Sequence, residues 1–320
     1  MFTNARNSLD VVKPIRQSIT HSRFIDEDWI IAVEGTTDVA FYSRFVTESS
    51  IRIKPATKLE NAHQKERDSR CLIIAFVKDK VQKGKHCYGI MDADYQLPEI
   101  DDLIRDYVIF TDENSLETMI VKYTGISKIE KNLNWKLIKQ FCLNKPMIEL
   151  ALEFSFKIGR IRQENIKKNY YLKFKDVYNK SHNYLDFLSA TKPTKILKNE
   201  KEKLEYDIIF NFDDYIKKII EVSSVNKKIH LRSLIPESFS ISESPWDKIC
   251  QGHDIVYFMV AMAEIHRNIS NDKRNTRSIE EKTRELENKI IKGIKPSAFY
   301  DSPIGKWLNK IQEEAENENP

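Results

Sequence analysis

Short runs of consecutive apolar residues alternate with helically spaced apolar residues through the first third of the chain. Residues 29–34 open with Trp29-Ile30-Ile31-Ala32-Val33, a run that predicts a strand buried on both faces. Thr36-Thr37-Asp38 then open a helix, and Val39, Phe41, Tyr42, Phe45 and Val46 follow at mostly helical spacing. Ile51-Arg52-Ile53-Lys54 alternates as a strand does. Residues 60–82 predict a helix around Leu72-Ile73-Ile74-Ala75-Phe76-Val77, ended near Gly84. Residues 86–91 and 107–110 predict two more strands, with a turn or short helix at 101–103 between them. Asn114-Ser115-Leu116-Glu117 starts another helix. The order β-α-β-α-β-β-α predicts an α/β fold with a mostly parallel sheet flanked by helices. Ligands of such sheets sit beyond the carboxyl ends of the strands.

From about residue 125 the pattern is mainly helical, which divides the chain into an α/β domain over 1–124 and a helical domain over 125–320. Residues 192–203, charged and broken by Pro193, predict a linker, and the Ser-rich stretch 236–245 a loop. Residues 255–265 are the most apolar helix of this half. A charged helix over 278–293 carries the i,i+4 pair Glu285–Lys289. The Glu- and Asn-rich stretch after Lys310 predicts a frayed tail, and residues 1–28 are polar and helical or irregular.

Charge sharpens this division. Residues 1–124 carry a net −3 and the remainder a net +7, so a slightly acidic half precedes a basic one. The basic half suits a phosphate backbone, or else merely solvates its helices. With 8 glycines in 320 residues, loops should be few. The four cysteines (Cys71, Cys87, Cys142 and Cys250) show no C-x-x-C or zinc spacing and read as free thiols of a reducing cytoplasm. No apolar run approaches a membrane span, and Met1-Phe2-Thr3-Asn4-Ala5-Arg6 lacks a signal-peptide stretch, so a cytoplasmic protein with no membrane partner is expected.

Two of the predicted strands end abruptly in carboxylates: Ala32-Val33-Glu34-Gly35 and Ile90-Met91-Asp92-Ala93-Asp94. A carboxylate is costly inside an apolar core. At adjoining strand tips, Glu34, Asp92 and Asp94 would supply the hard oxygen ligands that Mg²⁺ prefers. Such an ion can activate water and stabilise phosphodiester cleavage. On an extended strand end, Asp92 and Asp94 would project to one side. Gly35 would let substrate or metal approach the backbone. Asp92-x-Asp94 can equally be a solvated turn, and Asp38 either a helix cap or a further ligand. Asn114-x-x-Glu117 is close to a capping box. Glu113 and Glu117 would instead extend the acidic cluster if the helix begins early.

Val33-Glu34-Gly35-x-x-Asp38 followed by Asp92-Ala93-Asp94 resembles the TOPRIM domain of topoisomerases, primases and related nucleases. With Phe41-Tyr42, Gly89-Ile90-Met91-Asp92-Ala93-Asp94-Tyr95 and Asn114-Ser115-Leu116-Glu117, the likeness extends to a bacterial TOPRIM-like family found beside an ABC-type ATPase. That family includes the nuclease effector of the PARIS anti-phage system. The motifs cover residues 29–121, and Gly252-His253-Asp254 is similar to a later signature of the family. The resemblance implies a TOPRIM-like fold, with Glu34 as acid/base or metal ligand and Asp92 and Asp94 as ligands of Mg²⁺ or Mn²⁺. It implies an ATPase subunit that holds the nuclease inactive until a phage trigger releases it, as a homodimer, to cleave host RNA, with tRNA the substrate. The chain has no G-x-x-x-x-G-K-[ST] phosphate loop, so ATP hydrolysis would belong to the partner.

Two further groups stand outside the motifs. His253 could contact a phosphate, or could simply cap or pack at the helix that Asp254 opens. The stretch 167–175 mixes cations with aromatics, and Lys173 and Lys175 could grip a nucleic acid there. It could also be an amphipathic strand with Tyr170, Leu172 and Phe174 inward. Competing functions are a DNA nuclease and a non-catalytic binding or regulatory module in a TOPRIM shell.

Overall fold

In the computed structural model, residues 29–59, 68–95, 97–124, 146–174, 184–198, 201–223, 231–234, 239–269 and 279–318 are described. Strands β1 (Trp29–Val33), β2 (Ile51–Pro55), β3 (His86–Met91) and β4 (Val108–Phe110) form one sheet in the order β2-β1-β3-β4. Every pairing is parallel, with Val33 of β1 opposite Pro55 on one side and Ile90 on the other. This is the predicted α/β sheet. Its strands are apolar throughout because both faces are covered.

Side chains alternate between two cores. Trp29, Ile31 and Val33 point to the same face as Tyr88 and Ile90, and join Phe41, Tyr42 and Phe45. Ile30 and Ala32 point the other way with Cys87 and Met91, onto Ile73, Phe76 and Val77 of α2 (Ser69–Gln82). Helix α2 lies so close to β3 that a Cβ on Gly89 would stand 2.7 Å from the Ile73 side chain. Only a residue without a side chain fits there. Helices α1 (Thr36–Tyr42) and α3 (Leu116–Thr124) complete the motif-bearing half.

The remainder is mainly helical: α4 (Met147–Lys168), α5 (Phe212–Ser223), the short α6 (Trp246–Ile249), α7 (Gly252–Ile269), α8 (Ile279–Gly293), α9 (Pro296–Tyr300) and α10 (Pro303–Glu318). The expected charged helix is α8, with its Glu285–Lys289 pair at 2.7 Å. Two small antiparallel pairs interrupt the helices: β5 (Leu188–Ala190) with β8 (Ile208–Phe210), and β6 (Thr194–Lys198) with β7 (Lys201–Glu205). Residues 192–203, expected as a linker, therefore hold most of a hairpin.

The expected frayed tail is helix α10. Ile304, Leu308, Ile311 and Ala315 recur along one face and are buried. Gln312 accepts from the Thr47 amide at 2.7 Å, and the Tyr88 hydroxyl bonds Glu314 at 3.3 Å. Phe299 of α9 stacks on Phe45 at 3.9 Å. The C-terminal helices thus share the core under β1 and α1.

Cys71, Cys87 and Cys250 are free thiols, and Cys142 lies outside the described residues. Among those residues no helix is long and apolar enough to cross a membrane.

Candidate active site

Parallel register carries two acidic strand tips to one place. The chain leaves β1 at Glu34 and the neighbouring β3 at Asp92. The Asp92 amide donates to Glu34 Oε1 at 2.8 Å, across 58 residues of sequence. Asp92 Oδ1 in turn accepts from the Leu116 amide at 3.1 Å, so this carboxylate sits on the first turn of α3. A free amide and the positive end of the helix dipole both favour a negative charge there.

Asp38 caps its own helix: its Oδ2 accepts the Gly35 amide at 2.7 Å, the reciprocal arm of a capping box. It also stands within electrostatic reach of Glu117 and Asp92. Cap and cluster member are thus the same residue. Gly35 is half-buried, and a Cβ on it would lie 3.3 Å from Asp38 Oδ2.

Residues 92–94 do not continue the strand, since β3 ends at Met91. Asp94 takes a left-handed conformation with φ of 44°, and its amide donates to Asn114 O at 2.9 Å. An aspartate tolerates that conformation better than most residues. The bend gives Asp94 a cationic neighbour that Asp92 lacks, Arg70 at the start of α2, at 3.3 Å.

The α3 helix begins at Leu116, so Glu113 and Glu117 do not share a helical face. Its start is capped by Ser115, whose Oγ accepts from the Thr118 amide at 3.4 Å. Asn114, the expected capping-box partner, instead donates to Cys250 O at 2.9 Å. Glu117 is buried and belongs with Asp38 and Asp92. Gly252, the first residue of α7, backs against it so closely that a Cβ would fall 2.3 Å from Glu117 Cβ.

Glu113 turns away. It is 2% exposed, bonds Lys122, and lies 3.1 Å from Lys248, while Lys122 also holds Asp247 at 2.6 Å. This lysine–carboxylate network ties the loop after β4 to α6.

Burial and mutual repulsion mark the chemistry of the cluster. Glu34, Asp38, Asp92 and Asp94 are all half-buried, each with an edge open to solvent. Burial pushes Glu34 up to about 7, with Asp94 and Asp38 adding to the rise against the Asp92 amide. Burial likewise pushes Asp38 up to about 6. Asp92 rises well above the usual carboxylate range through burial and the charges of Glu117, Asp38, Glu34 and Asp94. Burial raises Asp94 as well, against the pull of Arg70. Carboxylates so placed cannot all ionise unless a cation joins them.

His253 sits in the first turn of α7, with an exposed ring whose Nδ1 lies 2.7 Å from Glu287 Oε1. That carboxylate, with the charge of Glu117, pushes the imidazole up to about 9. Lys173 lies just after the end of α4. It is exposed, and its backbone amide donates to Ser223 Oγ at 2.8 Å on α5. Around it Leu172 is buried and Tyr171 79% exposed, matching the expected alternation, but the segment is irregular and Tyr171 has φ of 60°. Lys175 lies outside the described residues.

Arg162 of α4 is a site neighbour that sequence patterning does not single out. It is buried, holds Asp254 with Nη1–Oδ2 at 2.5 Å and Nη2–Oδ1 at 3.1 Å, and lies over Phe174 at 5.0 Å. Its charge reaches Asp94. The available signal was a lone arginine four residues after Ile158 on an otherwise apolar face. Asp254, expected as a cap, is 1% exposed and serves this ion pair.

No protein-family model matches the chain, and no curated protein matches it. Among the described residues, no three His, Cys, Asp or Glu groups converge as a ready metal-binding set. The donor chemistry of the cluster nevertheless fits a hard divalent cation: oxygen only, concentrated negative charge, and a solvent-facing edge.

Proposed function

We propose that this chain is a Mg²⁺-dependent endonuclease of the TOPRIM type, the effector of a bacterial anti-phage system. In this reading a partner ABC-type ATPase holds it inactive, and on release it cuts host RNA, tRNA in particular. One observation carries the nuclease reading: Glu34 and Asp92, 58 residues apart, meet at neighbouring parallel strand tips with Asp38, Asp94 and Glu117 in electrostatic reach. The motifs around these residues, and their resemblance to the TOPRIM-like family, supply the substrate and the partner.

Glu34, Asp92 and Asp94 would hold the cation, with Asp38 and Glu117 beside them, once their side chains close on it. When bound, Mg²⁺ supplies charge neutralisation at a phosphate oxygen and a more acidic water. Glu34 is pushed up to about 7 in the metal-free protein; a bound cation would draw it down again, leaving an ionised carboxylate to hold the ion or accept a proton from water. The Leu116 amide and the Glu34–Asp92 bond fix the two tips relative to each other. Arg70, whose charge reaches Asp94 and Glu34, puts a cation beside the cluster that suits a phosphate backbone, while Arg162 stays buried against Asp254.

Replacing Glu34 by Gln should lower cleavage of RNA at least ~100-fold, in line with losing a positioned acid/base, while the metal-free protein melts no lower than wild type. Sequencing of RNA and DNA ends after induced expression reads the substrate. Unchanged cleavage in Glu34→Gln would sink the proposal, and breaks confined to DNA would replace the RNA arm.

A second reading, a non-catalytic binding or regulatory module in the same shell, is favoured by the absence of three converged ligand groups among the described residues. It requires that no nucleic acid is cut and that chelation leaves function unchanged.

A further inference from the structure

Among the described residues, the buried hydroxyl of Tyr42 has no hydrogen-bond partner, and the charges of the cluster carboxylates act on it. The residue is 1% exposed, and its ring is fixed by edge contact with Phe41 at 5.0 Å and a tilted contact with Phe299 at 6.3 Å. Tyr42 follows Asp38 by one helical turn on α1. Helical side chains lean toward the N-terminus, so the phenol covers the turn that carries Asp38. Around the hydroxyl stand the charges of Asp38, Asp92, Asp112 and Glu117.

An unpaired buried hydroxyl costs the fold its desolvation. Phenylalanine would keep the same ring contacts without that cost. A phenol donates one hydrogen, and its charged neighbours are acceptors. The position therefore holds a donor that packing does not need, in reach of carboxylates that must be oriented. Asp112 is already engaged elsewhere: it accepts the Tyr123 hydroxyl at 3.0 Å and the Ile304 amide at the start of α10.

We propose that Tyr42 is a positioning residue of this site, whose hydroxyl donates to Asp92 or Asp38 as those carboxylates close on a divalent cation. One carboxylate oxygen is then tied back by the phenol and the other is left to the ion. Outer partners of this sort orient ligands and raise metal affinity. The inference rests on the metal reading above, yet it is separable from cleavage.

The test compares wild type with Tyr42→Phe by calorimetric titration with Mn²⁺ alone at neutral pH, alongside thermal melting of the metal-free proteins. The expected result is Mn²⁺ binding weaker by about 10–100-fold with a melting temperature equal to or above wild type. Equal Mn²⁺ affinity overturns the proposal. So does a clear fall in melting temperature, which would assign the hydroxyl to packing. Wild-type protein that binds no Mn²⁺ overturns the metal reading and the role of Tyr42 together. Wild type that binds Mn²⁺ but cuts nothing removes the nuclease reading alone and leaves the Tyr42 comparison intact.

Discussion

Two acidic clusters adjoin where the loop after β4 enters α3, one through Glu113 and the other through Glu117, and they are built on opposite principles. Glu113 and Asp247 are interleaved with Lys122 and Lys248, so each negative charge has a cation from the same chain. Glu34, Asp38, Asp92 and Glu117 instead have chiefly one another as neighbours, together with backbone amides at helix starts, and the charges of Arg70 and His253 reach only Glu34 and Glu117 among them. The first arrangement completes itself and fastens the loop. The second keeps its negative charge concentrated, which costs stability and suits a cation from solution. Acidic residues alone do not separate structure from chemistry; the sign of what surrounds them does.

The largest effect expected from breaking this contrast is at Glu113. Its removal as Glu113→Ala leaves two lysines and Asp247 to rearrange around a buried site. Because Lys122 and Lys248 are partly exposed, the loss should fall below that of a fully buried pair, at about 2 kcal/mol. Urea unfolding measures it, and a loss near zero would show that the network does not fasten the loop.

Next comes the pH dependence of the metal-free protein. Glu34 and Asp38 have folded-state values of about 7 and about 6, raised by burial from 4.5 and 3.8. A raised carboxylate contributes stability that is fully present below its unfolded value and is lost as pH rises through the folded one. Taken in full those shifts amount to about 6 kcal/mol; with both carboxylates partly open to solvent, the metal-free protein should lose on the order of 2 kcal/mol between about pH 4 and pH 7. The Lys122 network has the other profile. Lys122 is raised by its bonds to Asp247 and Glu113, which outweigh burial, so its own contribution is constant over that range and fades only in strong alkali; Asp247 is held low, and only Glu113 in the network is raised by burial, against its two lysines. Melting curves of wild type and of the double variant Glu34→Gln/Asp38→Asn should differ in slope over this window. Equal slopes would place the titration elsewhere.

The smallest effect is the most specific. Asp92→Asn removes a carboxylate that burial and its neighbours resist ionising while keeping an acceptor for the Leu116 amide, and should stabilise the metal-free protein by about 1 kcal/mol in mild alkali, where that charge is forced on. The same exchange at Asp247 should destabilise, since Lys122 holds that carboxylate below its usual range against the effect of burial. Opposite signs in chemical denaturation sharpen the comparison; the same sign for both would dissolve it.

Much of the fold was legible because buried parallel strands leave an unmistakable trace. Trp29-Ile30-Ile31-Ala32-Val33 has no polar position, and both its faces proved buried. The tail misled because Glu and Asn dominate its composition while Ile304, Leu308, Ile311 and Ala315 hold the helical period beneath them. Residues 192–203 misled because a two-stranded hairpin need not show an apolar face. Asp38 was open between cap and cluster, and it serves in both, since the helix start it caps is the one that faces Asp92.

By itself, the sequence determined β1 to β4, their succession along the chain, and the ending of β1 and β3 in carboxylates, because apolar runs and abrupt charges are local facts of the chain. What each acid does was decided by tertiary structure. Register brought Glu34 onto the Asp92 amide, the left-handed bend turned Asp94 toward Arg70, and the late start of α3 sent Glu113 to the lysines and Glu117 to the cluster. Tyr42 and Arg162 belong to the same lesson. An aromatic and an arginine on helices have many ordinary uses, and only the groups folded against them show which use these two have.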